Sequence, residues 1–389
     1  MNTETLPPIE SSQLELTISS AIKTTALENF QSLSRASERW QCYLNCLCLE
    51  TVLAWLEEEG IETMPLGCRA SLPNIWTVVN GAAVTLDEVR VAVIPSETID
   101  LSELRVPQEW IDIPSWVADY YFAVQVNPDD HQIRIWGYAT HAQLKKQGSY
   151  DDNNRNYVLA AEEIVDDLSA FWVARELCPN ETTRAVLPSL STLPLEQAEN
   201  LLQRLGNAQI LEPRLAVPFQ YWAALLDHDG WRQRLYENRQ GLSEQHSVLQ
   251  WLESGISQLA QELGWRQLDW QPQLAGARGT QSSSATAKAF SRPLTIAGKS
   301  YELQVTPIGD SAERVWRFQL QPSAVGEMIP AGFTLRVFSE DLQPFENNEA
   351  TATTPTEQIY IEVALVSDEG IVWETEPQAE GYEREILRF

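Results

Sequence analysis

The chain has 389 residues, 43% of them hydrophobic and 21% charged, a globular composition that excludes wholesale disorder. Its length favours roughly two or three domains. The 55 Asp and Glu residues outnumber 27 Lys and Arg, so the formal net charge is −28. A surface this negative repels nucleic-acid phosphates and anionic lipids, and we therefore expect no nucleic-acid partner and no membrane partner.

The sequence predicts a cytoplasmic protein. Its first twenty residues contain neither the basic segment nor the apolar segment of a secretory signal. No apolar run approaches the roughly 18 residues that a bilayer span needs. Three of the five cysteines crowd into residues 42–48, which indicates reduced thiols rather than a disulfide framework.

Two helices are predicted near the N-terminus. Ser12 and Glu15 have the spacing of a capping box, and apolar residues at four-residue steps continue this predicted helix to about residue 33. The second helix covers about residues 37–59, and Trp40 lies on its apolar face. Gly60 supplies the C-terminal stop.

Residues 73–157 change to the two-residue period of β-strands. Strands are predicted at 75–79, 89–94 and 116–126, where β-branched and aromatic residues concentrate. The turn at 127–130 predicts a hairpin between residues 121–126 and 132–136. A short strand and a helix follow within residues 158–177.

The remainder is predicted to be helical and then all strand. Helices are expected at 194–205, 218–238 and 242–263, and residues 276–284 have the composition of a flexible loop. Turn signals then recur about every ten residues, which is typical of a β-sandwich. Its strands are predicted at 294–296, 301–305, 315–320, 333–338, 359–366 and 371–374.

These elements predict an α+β fold. A helical N-terminus packs on a small bent β-sheet or barrel, a helical middle segment follows, and an antiparallel β-sandwich ends the chain. The expected divisions are a mixed α+β domain at 1–178, a connector with helices at 179–242, and a helix plus sandwich at 243–389.

No catalytic or metal-binding constellation is predicted. The four histidines, His131, His141, His228 and His246, are interpreted as surface or capping residues, and His141 alone stands out. Cys42, Cys46 and Cys48 are expected in the core, because a zinc site needs further ligands. Adjacent acidic pairs on loops lack the different environments that acid/base catalysis requires. We therefore expect no cofactor and no metal.

An acidic stretch with aromatic residues is the candidate partner-binding site. Residues 96–130 contain eight acids and one base, a pattern that suits a basic protein partner. The alternative is that the aromatic residues form core and the acids only aid solubility, and core burial is the commoner explanation. The candidate residues are Asp100, Glu103, Glu109, Trp110, Asp112 and Trp116.

The last residues form a second candidate. Ile386, Leu387 and Phe389 are large apolar side chains near the chain end, and exposing them would forgo roughly 1.5–3 kcal/mol each. They are therefore predicted to be buried. Packing on their own domain is preferred, because it avoids association entropy; a docking peptide for a partner is the alternative.

Several motifs resemble a family of cyanobacterial proteins that is defined only by a domain of unknown function. The resemblance covers nearly the whole chain and implies a cyanobacterial origin and a regulatory role, with no catalytic residues to transfer. The motifs are VPQEWIDIPSWVADYY at 106–121, WGYATH at 136–141, IPAGF at 329–333, EDLQPF at 340–345, VWETEP at 372–377 and REILRF at 384–389.

The function expected from the sequence is that of a non-enzymatic, acidic, cytoplasmic adaptor or regulator that binds another protein in transcriptional or stress signalling. The alternative is a hydrolase or small-ligand-binding protein with a site between two domains. A deep pocket with convergent polar groups would favour the alternative, and a flat acidic and aromatic patch would favour the adaptor. The sequence indicates neither the partner's identity nor an oligomeric state.

Overall fold

A computed structural model describes residues 13–67, 69–178, 181–270, 287–308 and 314–389. The described residues form two compact units. Unit 1 contains the chain up to Thr192 together with Asn207–Asp227, and unit 2 contains Leu193–Gly206 and His228–Phe389. The predicted boundaries after residues 178 and 242 stay predictions, because contact density alone does not define independently folding domains.

Helices and sheets both contribute to each unit, which confirms mixed α and β structure with several antiparallel sheets. No helix in the described ranges is long and apolar enough to cross a membrane. The helices are α1 (Ser20–Phe30), α2 (Ala36–Glu58), α3 (Leu72–Trp76), α4 (Gln108–Asp112), α5 (His141–Lys146), α6 (Leu168–Leu177), α7 (Leu195–Leu205), α8 (Phe219–Asp227), α9 (Asp229–Gln240), α10 (Val248–Ser254) and α11 (Gln258–Glu262). Short 3₁₀ helices occupy Ala161–Glu163 and Pro213–Leu215.

The strands of unit 1 form two sheets. Among the described residues, six strands pair in the order β1-β7-β6-β4-β3-β2, with β4 and β6 parallel, and three pair antiparallel as β5-β9-β8. The strands are β1 (Leu14–Thr17), β2 (Thr63–Pro65), β3 (Ala82–Leu86), β4 (Val89–Ser96), β5 (Glu103–Pro107), β6 (Tyr120–Asn127), β7 (Gln132–Thr140), β8 (Ser149–Asp151) and β9 (Asn156–Ala160).

Both faces of the six-stranded sheet are covered. The Phe171 ring of α6 packs edge-on against Tyr120 and Phe122 of β6, with centroids 5.0 and 5.1 Å apart. On the opposite face, Tyr121 donates its hydroxyl to the carbonyl of Trp110 in α4 (2.7 Å). A sheet buried on both faces explains why β4 and β6 are almost continuously apolar.

Unit 2 contains two antiparallel sheets whose side chains contribute to one hydrophobic core. Five described strands pair in the order β10-β11-β12-β13-β16, and four pair as β15-β14-β17-β18. The strands are β10 (Arg266–Trp270), β11 (Ala287–Ile296), β12 (Lys299–Ile308), β13 (Val315–Pro322), β14 (Thr334–Ser339), β15 (Glu349–Thr351), β16 (Ile359–Ala364), β17 (Gly370–Glu376) and β18 (Ile386–Arg388).

Several predicted elements are confirmed. Helix α2 has nearly the predicted bounds, α7 lies within the predicted 194–205, and α6 ends at the predicted residue. The hairpin forms between β6 and β7, in which Val126 pairs with Ile133. The six strands predicted near the C-terminus are present as β11, β12, β13, β14, β16 and β17.

The predicted start of the first helix is wrong. Leu14–Thr17 is an edge strand that pairs antiparallel with β7, and helix α1 begins only at Ser20. The Ser19 hydroxyl caps it by accepting the amide of Ile22 (3.2 Å). Four residues are too few to distinguish the apolar spacing of a helix from that of a strand. The open edge of β7 supplies the backbone hydrogen bonds that favour the strand. Ser12 lies outside the described residues.

Three further predictions fail at helix boundaries. The predicted strand at 75–79 overlaps helix α3, which Pro73 helps to start. The predicted helix at 218–238 is two helices that meet at His228, whose Nδ1 accepts the amide of Trp231 (3.3 Å). The predicted helix at 242–263 is also two, because Gly255 adopts a φ of +90° between them. The predicted loop at 276–284 lies outside the described residues.

Candidate interaction surface of unit 1

The acidic stretch at 96–130 divides into a buried part and an exposed part. Trp110 and Trp116 are buried against each other, with ring centroids 5.1 Å apart, and Glu109 is fully buried. Asp100 is exposed, and Glu103 on β5 is partly exposed. The structure therefore does not bring the six predicted residues together on one accessible face.

Glu109 belongs to an internal ion pair. Arg214 donates from Nε to Oε1 (3.0 Å) and from Nη2 to Oε2 (2.7 Å), and the indole of Trp222 donates to Oε1 (2.7 Å). Burial alone would lower the pKa of Arg214, but the adjacent charge of Glu109 outweighs it and raises the pKa. This carboxylate is not available to a partner in the folded conformation.

Asp112 is also engaged within unit 1. Lys145 donates to its Oδ1 (2.8 Å) and Tyr157 donates to its Oδ2 (2.9 Å), while Lys145 also donates to the Tyr157 hydroxyl (2.7 Å). Burial, the largest effect, raises the pKa of Tyr157, and hydrogen bonds to Asp112 and Tyr157 raise the pKa of Lys145 against its own burial. These hydrogen bonds connect α4 to α5 and β9.

The exposed part of the stretch is the loop between β4 and β5. Ile99 at its centre is 91% exposed between Thr98 and Asp100. The loop is held in place, because Gln125 donates to the carbonyl of Thr98 (3.1 Å) and Asp100 accepts the amide of Ser102 (3.0 Å). A fixed loop with an apolar tip and flanking acids is an accessible element.

Trp40 joins this loop to the helices, a role that the sequence analysis missed. Its indole donates to Oε2 of Glu97 (2.7 Å), and its side chain is 45% exposed although it was predicted on the buried face of its helix. The reason is its position in the first turns of α2, where it lines the surface between α1 and α2 instead of facing the sheet. The acidic residues near Trp40 could have indicated this role only if Trp40 had been known to be exposed. Helical periodicity identifies the apolar face of α2 but does not show which part of that face the sheet covers.

A groove of about 310 Å³ runs beside Trp40 between α1 and α2. Leu27, which is 57% exposed, lines it together with Phe30 and Tyr43. The rings of Trp40 and Tyr43 lie 5.3 Å apart. We name the surface formed by Leu27, Trp40, Glu97, Ile99 and Asp100 the Trp40 patch.

A second acidic segment flanks the Trp40 patch. Burial raises the pKa of Tyr43, and the negative charge of Asp129 in the β6–β7 turn raises it further. Cations in this region are engaged: Lys23 donates to the carbonyl of Pro128 (2.8 Å), and Arg39 donates to the carbonyl of Leu33 (2.6 Å). In the described part of the chain, neither cation forms an ion pair with Glu97, Asp100 or Asp129.

The loop of the Trp40 patch also borders a cleft of about 320 Å³ in unit 1. Asp100, Glu103 and Glu212 line it, against the cations Arg105 and Arg214. Both cations are paired, Arg105 with Glu103 (2.6 Å) and Arg214 with the buried Glu109. The cleft therefore continues the acidic character of the loop.

The apolar residues of the chain end lie in unit 2. Ile386, Leu387 and Phe389 are each less than 5% exposed, which confirms the prediction that they are buried. Strand β18 pairs with β17, and the Phe389 ring contacts Trp316 at 4.8 Å. They lie in the core of unit 2, as the preferred interpretation expects, and do not form an exposed docking peptide.

The histidines are structural, but three of the four, His141, His228 and His246, are buried rather than on the surface. His141 accepts the amide of Ala185 at Nδ1 (2.9 Å), so its Nε2 donates to the carbonyl of Ile111 (2.9 Å), and burial lowers its pKa. His246 is likewise buried, close to Glu385. His131 lies in the exposed β6–β7 turn next to Lys23.

The predicted core cysteines Cys42, Cys46 and Cys48 are buried in α2. Burial raises the pKa of Cys46 to about 12 and that of Cys48 further. A thiol with so high a pKa is a poor metal ligand and nucleophile. Within the described ranges, no group of three or more His, Cys, Asp or Glu side chains is arranged to hold a metal ion.

The fold and this surface define a mixed α/β protein with an exposed acidic and aromatic patch. The chain belongs to the family described as Protein of unknown function (DUF1822), whose model matches residues 16–388. Comparison with curated proteins and with solved structures gives no match.

Proposed function

We propose that this chain is a non-enzymatic adaptor or regulator that binds a basic protein partner through the Trp40 patch. The observation that carries the proposal is the hydrogen bond between Trp40 and Glu97, which joins an exposed indole to an acidic loop with an apolar tip. Aromatic residues supply much of the binding energy of protein interfaces, and surrounding charges steer association.

The apolar part of the Trp40 patch supplies anchors. Leu27, Trp40 and Ile99 are large side chains with about half or more of their surface exposed. Isolated exposed apolar residues are ordinary, but Leu27 and Trp40 line one groove, as residues of interaction sites typically do. Ile99 lies two residues after Glu97, which accepts the Trp40 indole. The indole N–H is already satisfied by Glu97, so a partner can cover the ring without leaving a buried donor unpaired.

The charged part selects the partner. Glu97 and Asp100 lie in the loop, and Asp129 lies in the flanking turn. A partner with Lys or Arg around an apolar residue would match this charge distribution, whereas an acidic partner would be repelled. The whole-chain charge of −28 adds long-range attraction for a basic protein.

Three finer proposals accompany this function. The buried free cysteines support a reducing cytoplasmic location. The motif resemblance supports a cyanobacterial origin and a role in transcriptional or stress signalling. The shared core of the two sheets in unit 2 supports a β-sandwich, and the small helices and sheets of unit 1 support the predicted helical N-terminus on a bent sheet. The alternative function, a hydrolase or a small-ligand-binding protein, stays a prediction.

Capture from an extract of the native host tests the proposal. Wild-type protein and the Ile99→Asp variant are immobilised, and retained proteins are identified by mass spectrometry. We expect a basic protein on the wild type that the variant loses. Val186→Asp is the matched control, because Val186 is 98% exposed in unit 1 and outside the patch. A retained protein that both variants bind equally would contradict the assignment to the Trp40 patch.

A further inference from the structure

Unit 2 contains a cavity of about 450 Å³ that the proposed partner site does not use. Its lining comes from α10, from the adjoining ends of β12 and β13, and from the segment after β16. Among the described residues that line it, every side chain except that of Arg314 is apolar. Small-molecule pockets are typically about 300–1,000 Å³, mostly apolar, with a few polar groups that orient the ligand.

The floor of the cavity is fixed and apolar. Trp316 and Phe389 contact each other there with ring centroids 4.8 Å apart, and both are buried, as is Leu365. The rim is accessible, because Val366 is 69% exposed and Leu249 is also exposed. The cavity therefore presents apolar surface to water that an apolar ligand would cover.

The exception in the lining is Arg314. It directly precedes β13, and its carbonyl accepts the amide of Leu365 (3.1 Å), which holds its backbone at the cavity. Its side chain is exposed and has no carboxylate partner among the residues that the structure describes. Glu369, three residues after the lining residue Val366, accepts the amide of Val366 (2.8 Å) and does not pair with Arg314.

Arg314 differs in this respect from several arginines of these sheets. Arg317 pairs with Glu362, Arg336 with Glu349 and Arg384 with Glu374. Arg266 in β10 is, like Arg314, exposed and without an ion pair among the described residues. Because no carboxylate in the described part of the chain pairs with Arg314, this cation beside an apolar cavity can pair with a negative group of a ligand.

We infer that the unit 2 cavity binds an amphipathic anion, an alkyl chain with a carboxylate head of the fatty-acid type. The chain occupies the space above Trp316 and Phe389, and the carboxylate pairs with Arg314 at the mouth. The apolar lining excludes a strongly polar ligand, and the single cation distinguishes a carboxylate from a neutral lipid of the same chain length.

Calorimetric titration of the full chain with decanoate, kept below its micelle concentration, tests the inference. We expect saturable binding at one site. The Val366→Trp variant fills the mouth and should weaken binding at least about tenfold. Val325→Trp is the matched control, because Val325 is fully exposed and does not line the cavity, and it should bind as the wild type does.

The role of Arg314 is tested by a second pair of titrations. We expect Arg314→Gln to weaken decanoate about tenfold while leaving 1-decanol unchanged. Non-saturable uptake, or decanoate binding that neither Val366→Trp nor Arg314→Gln alters, would overturn the inference. Binding of only an apolar peptide, without decanoate binding, would also overturn the inference. Concentration-dependent dimerisation without decanoate binding would overturn it too, because a second copy of the chain would then occupy the cavity.

Discussion

Arg214 and Glu109 form a bidentate ion pair in the interior of unit 1, although 105 residues separate them in the chain. Arg214 also donates to the carbonyls of Asn154 (2.7 Å) and Arg155 (3.1 Å). The pair thereby connects α4 to the segment before α8. A partner-binding role for Glu109 would require this pair to break, and the proposed Trp40 patch therefore does not include Glu109.

Loss of one member of this pair should destabilise the protein strongly. Arg214→Met leaves the buried Glu109 charge without compensation, and we expect about 3–5 kcal/mol less free energy of unfolding by urea denaturation. The Glu109→Gln/Arg214→Met double variant should recover part of the loss. Arg105→Met is the control, because its exposed pairs should contribute at most about 1 kcal/mol. Equal losses of unfolding free energy for Arg214→Met and Arg105→Met would contradict this account.

The chain end should stabilise unit 2. Deleting residues 384–389 removes β18 from its sheet together with the buried Leu387, and we expect the melting temperature to fall by several degrees. Leu387→Ala alone should cost about 2–5 kcal/mol, because it leaves a cavity in the core. The exposed Val366→Ala is the control. An unchanged melting temperature after the deletion would show that the tail does not contribute to the core.

Glu237 should make stability depend on pH. Burial raises its pKa from the ordinary 4.5 to about 7, against the hydrogen bond from Gln233 (2.9 Å) that favours the charged form. Because the folded protein binds this proton more tightly than the unfolded chain, the stabilisation is fully present below pH 4.5. It is lost as the pH rises through about 7.

The Glu237→Gln variant isolates this effect, because it keeps the shape and removes the titration. Urea denaturation at pH 8 should find the variant more stable than the wild type by up to about 3 kcal/mol. At pH 4.5 the two should differ little. A difference in unfolding free energy that stays constant from pH 4.5 to 8 would rule out Glu237 as the titrating group.

The buried cysteines should resist chemical modification. In folded protein at pH 8, iodoacetamide should label the exposed Cys178 quickly, whereas Cys42, Cys46 and Cys48 should react only after unfolding, because burial disfavours their thiolates. Peptide mass spectrometry measures each site, and Cys178 is the internal control.

The same core packing predicts that purified protein contains substoichiometric zinc by elemental analysis. Stoichiometric zinc that is lost together with stability would contradict core packing of these cysteines.

Local patterns in the sequence predicted much of the fold. The Asn127–Asp130 turn between two apolar runs was enough for the β6–β7 hairpin, and the long apolar stripe was enough for α2. The start of α1 failed because the strand at Leu14 depends on the edge of β7, far along the chain. Local pattern does not contain such partners.

The candidate site was predicted less well for the same physical reason. Asp100 is exposed, whereas Trp110 is buried against Trp116 and donates to the carbonyl of Asn80, and Glu109 pairs with Arg214, 105 residues away in the chain. Trp40 was assigned to the core because its helical face is apolar. Whether the apolar face of a helix is buried depends on how far the neighbouring helices and strands extend along it, and the sequence does not show this.

The most direct test of the proposed function measures association rates with the captured partner at several salt concentrations. The Glu97→Gln/Asp100→Asn variant removes two charges of the Trp40 patch, and Glu162→Gln/Glu163→Gln removes two exposed charges elsewhere in unit 1. We predict that only the first variant associates more slowly and with a shallower salt dependence. Equal rates and equal salt dependence for wild type and both variants would contradict binding of a basic partner at the Trp40 patch.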